Sequence, residues 1–423
     1  SVARSLALLT AALAACAERG PHSPSQWHSD YDTIGDTVIV QTLGGSVWGA
    51  TADLVAELTI GSFEGPDEYT FGQILSLAVA PDGAVYVFDS HAPALRKYAP
   101  DGTYLMTVGR AGGGPGEYRM PDAGLAVLPD GRVLLRDPGN TRISVYSPDG
   151  EYLDAWRIRG SGTSRPLFKD LHTNAYTQIV LNPEDEVTEW RFGLVRYGPS
   201  GIPGDTLPAP TWEYRTPGIV ARDAVGGRGT THKYLPFAPR VWWAYSPLGY
   251  MVGGVPTDYC FDLFLARGRV LRIERTDWRP VPLAEDERIE HEQIVTARMR
   301  RTDPTWRWTG PRIPDTKPPY TGLFVGELGR IWVLLHQEAQ KVDPDVTSAR
   351  DPGAIPQPTW IEPVAFDVFE PDGRYLGMVR APEGFSTNPT PVMRGDTVWA
   401  VVRGELDVPY IVRLHIHREH DEM

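Results

Sequence analysis

Cysteine is nearly absent from this chain, with two residues in 423. Cys260 stands in "YCFDLFL", with no disulfide partner and no obvious base beside it, and reads as a buried thiol of an apolar strand. Positive charge is short as well: 41 Lys and Arg face 54 Asp and Glu, a net charge of −13. A general nucleic-acid binder needs a basic face to displace counterions from phosphates, so no nucleic-acid partner is expected. The apolar run at 6–15 falls short of the roughly 20 residues that cross a bilayer. Familiar catalytic signatures are missing too. There is no Gly-x-Ser-x-Gly elbow, no P-loop and no dinucleotide fingerprint. "GRAGGGPGEY" is glycine-rich but opens no helix, so it fails as a phosphate cradle.

What the chain has in plenty are turn formers and aromatics: 43 Gly, 39 Pro, 13 Trp and 18 Tyr, with 41% hydrophobic residues. Many turns and aromatic strands argue for sheet and against a helical protein. A repeat then organises the chain. "APDGAVYVFDSHAPALRKYAPDGTYL" returns 48 residues later as "LPDGRVLLRDPGNTRISVYSPDGEYL". The identities include Pro81/Pro129, Asp82/Asp130, Gly83/Gly131, Asp89/Asp137, Tyr98/Tyr146 and Leu105/Leu153. The second unit holds four short β-like runs, at 124–127, 133–136, 142–146 and 152–158. Asp-Gly turns join the first pair and the last pair, because glycine accepts the positive φ of a tight hairpin. Four antiparallel strands at this period are the pattern of a propeller blade.

Weaker copies follow: "TNAYTQIVLN" with "WRFGLVRYGPSG", "WWAYSPLGYMVGG" with "CFDLFLARGRVLRIER", "FVGELGRIWVLLHQ" with "PVAFDVFEPDGRYLGMVR", and "MRGDTVWAVVRG" with "YIVRLHIHRE". The expected fold is therefore all-β, a six-bladed β-propeller of four-stranded antiparallel blades over 37–420. The last unit has three strands. "ADLVAELTIGS" supplies the fourth from the N-terminal side, which closes the ring and removes exposed edges. "DTVIVQTL" is a further short strand. One segment breaks the pattern. "PLAEDERIEHEQIVTARMRR" has acids early and bases late, as a helix dipole prefers, with a thin stripe of Ile289, Ile294 and Met299. It reads as a helix at about 283–301, inserted between the fourth and fifth blades and packed on the rim or serving as a docking piece.

"LALLTAALAAC", ending at Cys16, resembles the lipobox of bacterial lipoproteins. That resemblance implies a signal peptide over 1–16, acylation of Cys16, a polar tether over 17–36, and an anchored chain on the periplasmic side of the outer membrane. An ordinary secretory signal is the alternative. "GGPGEYRMPDAGLAVLPDGRVLLRDPGNTRISVYSPDGEYL" resembles the NHL repeat, and the chain looks like the six-bladed propeller lipoproteins of unknown function carried by bacteria of the Bacteroidota and Gemmatimonadota kinds. The likeness is close over residues 61–158. It implies a blade and not a reaction, since propellers host binding modules, hydrolases and lyases alike.

Strand order places candidate residues. Loops between strands 2 and 3, and between blades, share the face where ligands of six-bladed propellers generally bind. That face should gather Arg110, Arg119, Asp137, Asn140, Arg142, His336 and Arg403, with Asp89, His91 and Asp122 nearby, and His172 as the best single histidine. Asp137, Asn140 and Arg142 match the NHL consensus and have an ordinary use in holding the loop together. The sharper reading makes the arginines and His336 a cationic mouth for an anionic ligand. Calcium needs six to eight oxygens and zinc needs convergent His or Cys, and the ten histidines are scattered. No metal site or cofactor is expected, though a divalent cation such as calcium is compatible with the fold. The aromatics of "TWRWTG" and "VWWAY" are read as core packing, with sugar stacking the alternative. The expected function is a monomeric binding platform at the cell envelope for a protein, peptide or small anionic ligand. The alternatives are a metal-dependent hydrolase or lyase at the channel mouth, resembling lactonases or amidating lyases, and a structural subunit of an envelope complex.

Overall fold

The computed structural model describes residues 26–160, 166–182, 190–222, 229–343 and 355–418. It is nearly all β with one α-helix, and its sheets succeed one another as in a β-propeller. Sheet I comprises Ile74–Val79, Val85–Asp89, Ala94–Tyr98 and Tyr104–Val108. Sheet II comprises Leu125–Val127, Val133–Asp137, Arg142–Tyr146 and Tyr152–Arg157, within a residue of the runs legible in the repeat. Sheet III holds Leu167–Lys169, Ala175–Val180, Phe192–Tyr197 and Pro203–Pro208. Sheet IV holds Trp242–Ser246, Tyr250–Gly254, Cys260–Phe264 and Val270–Arg275. Sheet V holds Tyr320–Val325, Ile331–Leu335, Ala365–Phe369 and Tyr375–Arg380. Sheet VI runs from Val392–Arg394 through Thr397–Arg403 to Pro409–His417. Its next strand is Ala52–Ile60, which pairs antiparallel with Pro409–His417 from Asp53 opposite His417 to Ile60 opposite Ile411.

The turns repeat as the sequence does. Gly83, Gly102, Gly131 and Gly150 have φ of +88°, +86°, +86° and +82°. Asp82 and Asp130 each accept the backbone amide two residues on, at 3.0 and 3.1 Å. Between sheets, apolar side chains interlock. Phe88 and Tyr118 meet Val127 and Leu135 between sheets I and II. Ile143 and Trp156 meet Tyr197 between II and III, and Tyr176 meets Tyr245 and Met251 between III and IV. Phe261 packs with Tyr320 and Phe369 between IV and V, and Phe366 with Val398 and Leu414 between V and VI. Trp399 and Ile411 then pack with Val87 and Val79, bringing sheet VI back to sheet I. Inner strands are covered on both faces, which is why Val85–Asp89, Val133–Asp137 and Ala365–Phe369 are buried along their whole length.

Three segments differ from expectation. Of the tether 17–36, His28–Ile34 is a strand, paired with Thr37–Gly44, which itself runs parallel to Val270–Arg275. Its polar residues mark an exposed outer strand on sheet IV, turned at Gly35 with φ +59°. Cys16 and the lipobox lie outside the described residues. The linker from sheet III to sheet IV carries an unforeseen hairpin, Gly218–Arg222 with Thr230–Tyr234. The helix is present as Glu285–Arg300, but Ile289 is exposed. Its inward row is Glu287, His291, Val295 and Met299, spaced by four. The cause is its neighbour: the helix lies over a buried lysine and a Trp306-centred cluster, so the inward face needs an acid as well as apolar groups. Trp306 is a core residue, its Nε1 donating to the Val220 carbonyl at 3.0 Å.

A buried ionic knot joins sheets IV and V. The Asp367 carboxylate accepts the Arg275 guanidinium at 2.6 Å and the Tyr259 and Tyr375 hydroxyls at 2.5 and 2.6 Å. Asp367→Ala leaves the Arg275 charge and two buried hydroxyls without that acceptor. It should lower unfolding free energy by about 3–5 kcal/mol in denaturant titration, whereas exposed Asp205→Ala should change it by under about 0.5 kcal/mol. Cys260 is half-buried, and burial pushes its thiol up to about 11. At about pH 8 the native thiol should resist a thiol-exchange reagent over hours and react within minutes in denaturant.

Candidate functional site

The loop after Val133–Asp137 secures the linker that enters its own sheet. Buried Asp137 accepts the backbone amides of Arg119 and Met120, both at 2.9 Å. Asn140 donates to Asp137 at 2.8 Å and to the Gly112 carbonyl at 2.9 Å. Arg142 donates to the carbonyls of Gly114 and Glu117, the latter at 2.7 Å. Asp89 does the same one repeat earlier, taking the amides of Gly72 and Gln73 at 2.8 and 3.0 Å. The consensus residues therefore build the blade junction.

Each expected mouth arginine whose side-chain partners are seen is engaged by a nearby acid or carbonyl. Arg110, 81% exposed, pairs with Glu117, and Arg403 pairs with Asp407 at 3.1 Å. Arg119 contributes its backbone amide. Arg110 and Arg142 meet on Glu117, the first at its carboxylate and the second at its backbone carbonyl, whereas Arg403 serves its own loop. His172 sits at the opposite end of the sheets. It lies in the turn between Leu167–Lys169 and Ala175–Val180, where sheets I and II carry their Asp-Gly turns. There its amide donates to Asp170 at 2.8 Å. The turn has the same five-residue length as in sheets I and II, but no "PDG" marks it in the sequence, which hid its equivalence.

His336 does sit in a cleft. Described parts of three long insertions share its face: 209–222 and 229–241 between sheets III and IV, 276–319 between IV and V, and 336–343 and 355–364 within V. They enclose about 240 Å³ lined by Tyr234, Phe237, Arg240, Trp242, His291 and His336, among others. The Arg240 guanidinium lies 4.6 Å from the Trp242 ring and 5.5 Å from the Tyr234 ring. Burial lowers its pKa, although an arginine stays charged throughout. No carboxylate pairs with Arg240 among the described residues.

Behind the cleft is a dense polar cluster. The Lys317 ammonium is buried, 2.7 Å from the Glu287 carboxylate, 3.0 Å from Glu362 and 3.0 Å from the Gln337 carbonyl. Its Nζ also lies 5.3 Å from the Phe237 ring. Glu362 in turn accepts the Gln337 amide at 2.7 Å and holds His336 Nδ1 at 3.0 Å. Burial pushes the Glu362 carboxyl upward, but the His336 hydrogen bond and Lys317 outweigh it, so the carboxyl stays below its usual range. Glu290, from the next turn of the helix, caps the amides of Thr359 and Trp360 at 2.5 and 3.3 Å and pins the insertion that carries Glu362. The His291 ring packs edge-on against Phe237 at 4.7 Å, and burial holds its pKa below the ordinary value despite nearby Glu287 and Glu290.

Sequence reasoning found His336 and missed Arg240, His291, Lys317, Glu287 and Glu362. A signal existed: the insertions are surplus to the repeat, and "FAPRVWWAY" sets an arginine beside two tryptophans. Which charges converge was not legible, because Lys317 and Glu287 lie 30 residues apart, one on a two-residue strand and the other on a helix outside the repeat. Among the described residues no group of three or more His, Cys, Asp and Glu has the arrangement of a metal site. Nor is a helix long and apolar enough to cross a membrane found there.

No protein-family model matches the chain, and no curated protein matches it. Solved structures do. A Bacteroides fragilis protein described as exported is 9% identical, with 90% of this chain and 99% of that chain covered and a TM-score of 0.46. A member of the duf4221 family from Bacteroides vulgatus is 10% identical, covering 86% and 98% at a TM-score of 0.45. A streptogramin B lyase is 11% identical, covering 88% and 100% at a TM-score of 0.40. Likenesses this distant carry no argument about ligand or reaction.

Acid should loosen this site. A histidine whose folded pKa is depressed gives stability that is complete above about pH 6.5 and is lost as pH falls. Glu362, also depressed, adds a loss in the same direction at lower pH. The urea midpoint should therefore fall from about pH 7 to 5, and His291→Gln should flatten the upper part of that fall.

Proposed function

We propose that the chain is an exported, six-bladed, NHL-like propeller, held at the envelope by lipid on Cys16 and acting as a binding platform on the periplasmic side of the outer membrane. Its blades are sheets I to VI. The 48-residue repeat, the unbroken succession of sheets and the "LAAC" motif support this reading. Its ligand is a small organic anion with an apolar body, taken by the cleft under the three insertions, in place of the arginine mouth. The chain works as a monomer and calls on no resident cofactor.

One observation carries the ligand class. Arg240 is a largely desolvated cation, stacked on aromatic rings in a concave apolar site, with no carboxylate beside it among the described residues. Burying a charge is unfavourable unless it is paired, and a guanidinium pairs best with a planar carboxylate or a phosphate. The aromatic walls suit a flat apolar body.

Quenching of tryptophan fluorescence by 2-naphthoate tests this, since Trp242 lines the cleft. Saturable quenching is expected, with 2-naphthamide and the Arg240→Ala variant each binding at least about tenfold more weakly. Equal affinity for the two probes, or binding untouched by Arg240→Ala, removes the anion reading.

A further inference from the structure

The cleft has a second polar feature that anion binding does not use. His336 lines it, yet its Nδ1 is taken by Glu362 at 3.0 Å. The other ring nitrogen, Nε2, is left for a ligand. Glu362 is fixed by two further contacts, the Gln337 amide and the Lys317 ammonium, and Lys317 is itself held by Glu287 of the helix. A carboxylate that orients one imidazole nitrogen and stabilises the imidazolium leaves the other nitrogen as a proton acceptor. Phe237 packs against the ring, its centroid 5.7 Å from that of His336, and limits its rotation.

We propose that His336 is a general base in this cleft and that the site hydrolyses an activated acyl ester carrying a separate carboxylate, which Arg240 holds. This rests on the anion-binding reading of the same cleft. Nε2 of His336 takes a proton from water as the water oxygen bonds to the acyl carbon. The carbonyl π pair moves onto oxygen, then returns as the carbon–alkoxy bond breaks. The departing alkoxide takes the proton back from the imidazolium, giving an alcohol, and the new acid releases its proton to solvent. Water and ester are the only reactants. His336 is the catalytic residue and Arg240 the binding residue. Glu362 acts through His336 and is a positioning residue, with Lys317 and Glu287 holding it in place.

The test uses the full chain and mono-4-nitrophenyl succinate, followed by nitrophenolate release, with 2-naphthoate binding measured on the same samples. Wild type should show saturable turnover. His336→Gln should lower kcat by roughly 100-fold while 2-naphthoate still binds. Glu362→Gln should lower kcat with KM unchanged, Glu362→Asp should recover part of it, and Arg240→Ala should raise KM at near-constant kcat. Neutral 4-nitrophenyl acetate should be the poorer substrate. Circular dichroism checks that each variant is folded. Should Glu362→Gln not fold, His336→Gln decides alone. Turnover that survives His336→Gln, or no turnover by wild type that binds 2-naphthoate, overturns the general base and leaves the binding site intact. Loss of 2-naphthoate binding by wild type removes both readings.

Discussion

The pairing of Ala52–Ile60 with Pro409–His417 is the constraint on which the rest depends. A ring of sheets has no edge, but a chain has two ends, and the last sheet stays open unless one end returns to it. Here the N-terminal strand does so, across more than 350 residues of sequence. Arg380 then clamps Asp53 through both carboxylate oxygens, tying that strand to sheet V. With the ring shut, each junction buries aromatics on both sides, and every sheet leans on two others. Removing one strand would uncover sheet VI and expose Trp399 and Ile411, which also seal sheet I.

Rigidity of this kind explains where irregularity is tolerated. The Asp-Gly turns are too short to vary. The linkers on the other face are free to lengthen, because the strands they join are already held by packing. Three of them lengthen here, side by side. The helix and the hairpin Gly218–Arg222 with Thr230–Tyr234 share a small core around Trp306 and Met299, separate from the blade junctions. That second core gives the cleft a fixed wall. Lys317 is its polar counterpart: one ammonium joins the helix, its own strand and the 336–364 insertion. A buried pair of this type adds little net stability and is strongly position-specific. Its effect here is to hold the Glu362 carboxylate against His336.

Much of the fold was legible. The period of 48 and the paired Asp-Gly turns rest on local backbone rules, and the structure follows them strand by strand in sheets I and II; the displaced strand Ala52–Ile60 was legible because the last unit lacked a fourth strand. Less was legible where local rules stop. His28–Ile34 has the composition of a linker, and only its partner, Thr37–Gly44, makes it a strand. Ile289 looked like a core residue of an amphipathic helix, but the helix met a buried cation, and Glu287 turned inward. For the site, the repeat pointed to Asp137, Asn140 and Arg142. Asp137 recurs as Asp89 because each of these sheets needs its incoming linker held, and Asn140 and Arg142 add to that hold in sheet II, so they speak of architecture.

By itself, then, the amino-acid sequence determined the repeating unit, its turns and the order in which the strands follow, since each depends on neighbours a few residues away. Tertiary structure alone decided which charges meet. Lys317, Glu287, Glu362, His336 and Arg240 come from three insertions with no shared period. Electrostatic partnership acts through space over a few ångströms and leaves no spacing in the chain to be read.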